Sequence, residues 1–160
     1  MLAIVLLVLI VLIVLIWFAL RSGSSRVTPI PPDDPLWVQA IERARASAET
    51  MKQLHEAGHE VWVKFPLTVA DGTTEHVWGR LVTVQGTSLR CTIETPPVGG
   101  SGPSDGMFET DVRAFEDWQV VLPDGSIRGG YTTRAQARIA EREGHPVPRH
   151  VREMLSRMTD

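Results

Sequence analysis

Disulfide chemistry is excluded within this chain, because its 160 residues contain a single cysteine, Cys91. A lone cysteine fits a reducing compartment. An excess of positive charge is also missing, since the formal net charge is -3. A balance this mild does not indicate nucleic acid as a partner. The sequence shows no internal repeat either.

Charged residues are absent from the first stretch of the chain. Between Leu2 and Leu20 it contains only Leu, Ile, Val, Ala, Phe and Trp. A helix of this length, at about 1.5 Å per residue, spans roughly 28 Å, which matches the hydrocarbon core of a bilayer. A cleaved signal peptide would have a basic segment before a shorter apolar run and a small-residue cleavage site, and neither is found. Residues 1–20 are therefore predicted to be an uncleaved transmembrane helix.

The flanks of this run predict its orientation. Arg21 and Arg26 follow it, and no basic side chain precedes it. Basic residues favour the cytoplasmic side of a membrane. We therefore expect a single-pass protein of the cell membrane with its amino terminus outside and the following domain in the cytoplasm.

Residues 21–34 are rich in Ser, Gly and Pro, which favours an extended tether. The remaining residues 35–160 suffice for one soluble domain with one core. Asp34 is suited to cap a helix that begins at Pro35, and apolar residues then recur at helical spacing until Gly58. One amphipathic helix is predicted there, ending at a glycine suited to a left-handed cap.

After Glu60 the apolar period changes to two, which indicates strands. The first strand alternates inward Val61, Val63 and Phe65 with Trp62 and Lys64. Two hairpins follow, the first joining residues 75–84 to 87–95 and the second joining residues 118–122 to 126–132. Between them, residues 96–106 form a Gly/Pro-rich loop, and helical patterns resume at residues 134–143 and 148–157. These elements predict an α+β domain with one helix before the sheet and short helices after it.

Four short segments of this domain occur in a characteristic order and spacing. They are Lys64-Phe65, Glu75-His76-Val77-Trp78, Asp117-Trp118 and Gly129-Gly130-Tyr131-Thr132-Thr133-Arg134. Together they resemble the bacterial family known as domain of unknown function 2314, over about residues 37–135, with residues 136–160 as a helical extension. The resemblance implies a compact α+β domain with a curved antiparallel sheet. It implies no established activity and assigns no catalytic residue.

A zinc-protease pattern, H-E-x-x-H, is spelled by His55, Glu56 and His59. In such enzymes both histidines project from one face of a rigid helix, and the glutamate polarises a metal-bound water. Here Gly58 interrupts the pattern at a predicted helix end, which favours ordinary solvated side chains.

Another candidate lies on the second predicted strand, where alternation places His76 and Trp78 on the same face. If Asp117 approaches His76, the pair is either a catalytic dyad or a structural hydrogen bond.

Gly129 and Gly130 lack the lysine and hydroxyl residue that complete a phosphate-binding loop. A glycine pair of this kind more often indicates a bulge or a close backbone approach.

The last helices carry Arg134, Arg138 and Arg142 at intervals of four, on one face. Such a face can contact anionic lipid headgroups at a cytoplasmic membrane surface, although neighbouring glutamates also fit a solvated surface.

The function that these patterns favour is a non-catalytic module for a ligand or protein partner, with no cofactor or metal assigned. Its predicted site comprises His76, Trp78, Asp117, Trp118, Tyr131, Thr132 and Arg134. The alternatives are a hydrolase using His76 with Asp117, a zinc hydrolase at His55 and His59, and an immunity-type protein that neutralises a toxin by surface complementarity.

Overall fold

The computed structural model describes residues 30–69, 72–94 and 105–159, and all elements below belong to this part of the chain. Its helices are α1 (Pro35–Ala46), α2 (Ala48–Glu56), α3 (Tyr131–Arg142) and α4 (Arg149–Leu155). Its strands are β1 (Val61–Thr68), β2 (Thr74–Gln85), β3 (Ser88–Thr92), β4 (Met107–Asp111), β5 (Asp117–Val121), β6 (Ile127–Gly129) and β7 (Met158–Thr159). The domain is therefore α+β, as predicted.

The predicted anchor at residues 2–20 lies outside the described residues, as do most of the tether and most of the 96–106 loop. None of the four described helices combines the length and the apolar character that crossing a membrane requires. The described tether residues are close to the domain, because Ile30 packs against a buried cluster.

The predicted first helix begins as expected but is two helices. The Asp34 carboxylate accepts a hydrogen bond from the Leu36 backbone N–H at 2.9 Å, and Pro35 occupies the first helical position. The chain then leaves helical geometry at Ser47, whose hydroxyl donates to the Ala44 carbonyl and accepts from the Trp118 indole. The helix α2 ends at Glu56, and Gly58 follows it with φ +86°, close to the predicted end.

The strands form one sheet in the order β4-β3-β2-β1-β5-β6-β7. All neighbouring pairs are antiparallel except β6 and β7, which are parallel. The expectation of a purely antiparallel sheet is therefore wrong at this edge. After β6 the chain passes through α3 and α4 before it returns, and a connection of this length permits a parallel pair.

Both predicted hairpins are confirmed, as β2–β3 and β5–β6. The second hairpin is shorter than predicted, because β6 ends at Gly129 and α3 begins at Tyr131. The strands β4 and β7 were not predicted from the sequence, and the segment expected to be a helical extension thus also contributes a strand to the sheet.

Two buried clusters hold these elements together. The larger cluster lies on one face of the sheet and includes Val61, Val63 and Phe65 of β1. These three side chains are at most 2% exposed, as their alternation in the sequence predicts. The smaller one joins α1 to α3 through Trp37, Ala40, Ala135 and Ile139. This second cluster fixes the relative position of the two helices that form the cleft described next.

Candidate functional site

A cleft of about 130 Å³ lies between α1 and α3. Each helix lines it with one stripe at spacing i, i+3, i+4, i+7, the spacing of a single helical face. The stripe from α1 is Leu36, Gln39, Ala40 and Arg43, and the stripe from α3 is Tyr131, Arg134, Ala135 and Arg138. Among these lining residues three are arginines and none is acidic. The lining therefore includes three cationic side chains, of which Arg43 and Arg134 also have other partners.

Tyr131, the only tyrosine of the chain, occupies the centre of this arrangement. The Arg43 guanidinium carbon lies 5.5 Å from its ring centroid and that of Arg134 lies 5.1 Å away. Both distances are within the range of cation–π attraction. Arg134 is also held by a hydrogen bond from its Nη1 to the Thr159 carbonyl oxygen at 3.3 Å. The ring thus orders two of the three guanidinium groups.

The start of α3 is ordered by a side chain from a different element. Asp117, on β5, accepts hydrogen bonds from the backbone N–H groups of Tyr131 and Thr132 at 3.0 and 2.7 Å, and from the Thr132 hydroxyl at 2.7 Å. It also accepts from the Trp118 N–H at 2.8 Å. Burial raises the pKa of the Asp117 carboxyl, and these hydrogen bonds oppose that rise. Asp117 therefore occupies the positive end of the helix, which is not open to a ligand.

The buried Trp118 side chain packs against Tyr131 and holds it in position. Its side chain is 1% exposed, its indole N–H donates to the Ser47 hydroxyl at 2.9 Å, and its ring meets Tyr131 edge to face at 6.3 Å. Of the predicted site residues, Tyr131 and Arg134 line the cleft, whereas Asp117, Trp118 and Thr132 are buried beneath it. The buried residues can position the site but cannot contact a ligand in it.

His76 and Trp78 do not belong to the cleft. They lie on β2, and β1 separates that strand from β5. The His76 Nδ1 lies 2.7 Å from a carboxylate oxygen of Glu116, whereas the Asp117 carboxylate accepts hydrogen bonds from Trp118, Tyr131 and Thr132. The predicted dyad of His76 with Asp117 is therefore not formed, because each side chain is committed to a different partner.

A buried cation lies between these two regions. Lys64 on β1 is 9% exposed and is paired in register with Trp78 on one side and Asp117 on the other. Its ammonium group lies 4.6 Å from the Trp37 ring centroid. Burial lowers the pKa of the Lys64 amine, and the negative charges of Glu116 and Asp117 oppose that change. The Trp37 ring and the carboxylates of Glu116 and Asp117 together offset the free-energy cost of removing the Lys64 ammonium group from water.

The zinc-protease pattern does not form its expected geometry. Helix α2 ends at Glu56, inside the pattern, and the left-handed Gly58 turns the chain before His59. The two histidines thus do not project from consecutive turns of one helix. Across residues 30–69, 72–94 and 105–159, no three or more His, Cys, Asp or Glu side chains are grouped to hold a metal ion.

The single cysteine is not suited to act as a nucleophile. Cys91 is fully buried on β3, and burial raises the pKa of its thiol to about 12. The thiolate is the reactive form, so a thiol of this kind is inert at neutral pH.

Arg142 differs from the other arginines of its helix. All three lie on α3 at intervals of four, as the sequence predicts. The Arg142 guanidinium, however, donates to the Asp34 carboxylate at 2.5 Å and contacts Glu143 at 3.3 Å. The headgroup contact of Arg134, Arg138 and Arg142 stays a prediction, and the structure shows that Arg142 ties α3 to Asp34, the N-cap of α1.

The sequence reasoning missed Gln39 and Arg43 on the α1 side of the cleft, and Glu116 as the partner of His76. The first two could have been found, because they share one helical stripe with Leu36 and Ala40. Glu116 gave no such signal, since it lies in the connection that precedes β5. Comparisons with family models, curated proteins and solved structures found no match to the chain. The resemblance to the domain of unknown function 2314 family therefore stays a prediction.

Proposed function

We propose that this chain is a membrane-tethered binding module without catalysis of its own, and that the cleft between α1 and α3 holds its ligand. The observation that carries this proposal is the pair of matched stripes around Tyr131, which gather three guanidinium groups and an amide in one concavity. Concave sites with a few convergent polar groups are the usual places for ligands.

The core around the cleft supports a binding role. The Arg43 and Arg134 guanidinium groups are held against Tyr131, which is in turn held by Asp117 and Trp118. Groups that are ordered before the ligand arrives lose less conformational entropy on binding, so their contacts yield more affinity. A non-catalytic role fits the separation of His76 from Asp117 and the inert Cys91.

The proposal includes the membrane anchor, the cytoplasmic orientation and the family resemblance. The four landmark segments of that resemblance meet in space: Lys64 pairs in register with both Trp78 and Asp117, and Asp117 binds the N–H of Tyr131. Because these segments contact one another in the folded domain, there is a physical reason for them to occur in the same sequence. This supports the resemblance.

A substitution that fills the cleft tests the binding role even when the identity of the ligand is not known. Gln39 is exposed on the rim, so Gln39→Trp should fill the cleft without disturbing the core, and Gln53→Trp on the exposed side of α2 is its matched control. The full chain in detergent micelles would be screened against small anions, sugars and peptides by thermal unfolding followed by circular dichroism.

We expect at least one compound to raise the melting temperature of the wild type and the control by about ten degrees, since a ligand at about 100 times its Kd adds about 2.7 kcal/mol. The same compound should have no effect on Gln39→Trp. If no compound distinguishes the two variants, the cleft is not the binding site.

A further inference from the structure

We infer that His76 accepts a phosphoryl group on its Nε2 atom, at a site on β2 that is separate from the cleft. The His76 Nδ1 lies 2.7 Å from a carboxylate oxygen of Glu116. An ionised carboxylate can only accept a hydrogen bond, so Nδ1 carries the proton and the lone pair of the neutral ring lies on Nε2. This tautomer makes Nε2 the nucleophilic atom of the ring.

The Nε2 atom is also accessible. The His76 side chain is 47% exposed, whereas that of Glu116 is only 10% exposed. Within residues 30–69, 72–94 and 105–159, the hydrogen bond of the His76 ring is the one from Nδ1, and no described group occupies Nε2. The ring is thus fixed at one nitrogen and open at the other.

The position of Glu116 is set by the connection that leads into β5. Its backbone N–H donates to the Lys64 carbonyl at 2.8 Å, and the Arg45 Nε donates to the Phe115 carbonyl at 2.8 Å. These hydrogen bonds fix the main chain at Glu116 and just before it. A carboxylate fixed in this way holds a histidine in one tautomer and one orientation, as the aspartate of a Ser-His-Asp triad does.

The charges beneath His76 favour a cationic ring. Lys64 is buried, and Glu116 and Asp117 both lie close enough to stabilise its charge, so one buried cation faces two carboxylates. When Nε2 attacks phosphorus, Nδ1 keeps its proton and the ring becomes positively charged. Hydrogen bonds between ionised groups are about twice as strong as those between neutral groups, so Glu116 stabilises the modified ring more than the free one.

The open surroundings of Nε2 favour phosphoryl transfer over acyl transfer. Acyl transfer is accelerated mainly by fixed N–H donors placed around a developing oxyanion. Phosphoryl transfer passes through a loose transition state and depends mainly on the positioning of nucleophile and donor. A fixed and accessible imidazole supplies the nucleophile, and the donor is a compound with a phosphoramidate or acyl-phosphate bond.

Phosphoramidate illustrates the balance of the step. The bond between Nε2 and phosphorus forms while the P–N bond of the donor breaks. The donor nitrogen is already protonated at neutral pH, so it leaves as ammonia with the electron pair of the broken bond. The proton on Nδ1 stays in its hydrogen bond to Glu116, and no other base is required.

Potassium phosphoramidate is therefore the probe, applied to the full chain in detergent micelles. The other four histidines serve as internal standards, above all His145, which is 52% exposed and lies 3.9 Å from the Glu143 carboxylate. Tandem mass spectrometry at alkaline pH, where phosphohistidine survives, measures the labelling rate at each position. We expect His76 to be labelled about tenfold faster than His145, since a hydrogen bond to a charged group stabilises on this scale.

Two variants test the part played by Glu116. Glu116→Gln keeps a hydrogen-bond acceptor but removes the charge, so the rate at His76 should fall about tenfold relative to His145 in the same molecule. Glu143→Gln is the matched control and should leave the rate at His76 unchanged. Circular dichroism establishes that each variant is folded, and the comparison within the wild type decides the question if Glu116→Gln is not.

Equal labelling of His76 and His145 in the wild type overturns the inference. An unchanged rate in folded Glu116→Gln does the same, and so does a phosphoryl group that phosphorus NMR assigns to Nδ1. The proposed binding role of the cleft is tested separately by Gln39→Trp, because His76 does not line the cleft.

Discussion

At the scale of single residues, Asp117 shows how one side chain organises a helix to which it does not belong. Helix α3 follows Gly130, which adopts φ +68° and has no side chain that could accept hydrogen bonds from the first N–H groups of the helix. Asp117 supplies the missing acceptors from β5 and is itself completely buried. The position of Tyr131 in the cleft thus depends on this carboxylate.

Asp117→Asn should destabilise the domain by about 2–4 kcal/mol. One carboxylate oxygen accepts from the Trp118 and Tyr131 N–H groups and the other from Thr132, so either orientation of the amide turns its NH₂ toward a backbone N–H. Urea unfolding of the full chain in detergent measures the change. Asp124→Asn, in an exposed turn, is the control and should cost below about 1 kcal/mol. Equal losses would show that Asp117 is not required.

Gly129→Ala should cost roughly 2–5 kcal/mol, because a β-carbon at this φ of +81° would overlap the Trp118 carbonyl. Gly144→Ala has a similar φ of +75° but nothing near the added carbon, so about 1–2 kcal/mol is expected from backbone strain alone. Thermal or urea unfolding compares them. Similar losses for both would mean that the close approach at Gly129 relaxes without cost.

At the scale of elements, the sequence predicted the helices and strands whose apolar residues recur at a regular local spacing. The alternation of Val61, Val63 and Phe65 predicted β1, and the glycine pair at residues 129–130 predicted a close backbone approach, which Gly129 has. The break at Ser47 was not predictable, since it depends on a hydrogen bond to Trp118, far away in sequence. The short strand β7 likewise forms by pairing with the edge strand β6, and no local sequence pattern indicates this pairing.

The contact between α1 and α3 through Asp34 and Arg142 should depend on pH. The Arg142 hydrogen bond holds the pKa of the Asp34 carboxyl below its usual value. Because the folded state then binds this proton less readily than the unfolded state, the contribution to stability is fully present above the unfolded pKa of about 3.9 and is lost as pH falls through the folded value.

Arg142→Ala should therefore be less stable than wild type at neutral pH, and this difference should shrink below about pH 4. Urea unfolding of both proteins at neutral and acidic pH measures it. Arg149→Ala removes an exposed pair with Glu153 and should show little difference at either pH. A deficit in Arg142→Ala that is constant with pH would contradict the assignment.

At the scale of the whole molecule, we expect the apolar leading segment to hold the chain in a bilayer. The uncharged run at residues 2–20 has an insertion free energy of roughly -5 to -10 kcal/mol, summed over its aliphatic and aromatic residues. The chain should stay in the membrane pellet after an alkaline carbonate wash and dissolve only in detergent. Recovery in the aqueous fraction would contradict both the anchor and the proposed location.

The site was only partly predictable at this scale. Tyr131 and Arg134 were named from the sequence, but their partners on α1 come from a helix about ninety residues away in the chain. Asp117 was considered as a partner of His76, and His76 lies beside Glu116 instead, because strand register decides which of two adjacent carboxylates it meets. Register between distant strands is set by the fold as a whole, so single-residue patterns do not reveal it.

The double role of Asp34 has a mechanical consequence. This carboxylate begins α1 and also holds Arg142 on α3, so it joins both walls of the cleft just where the tether ends. Removal of this one carboxylate would therefore loosen the start of α1 and its contact with α3 at the same time.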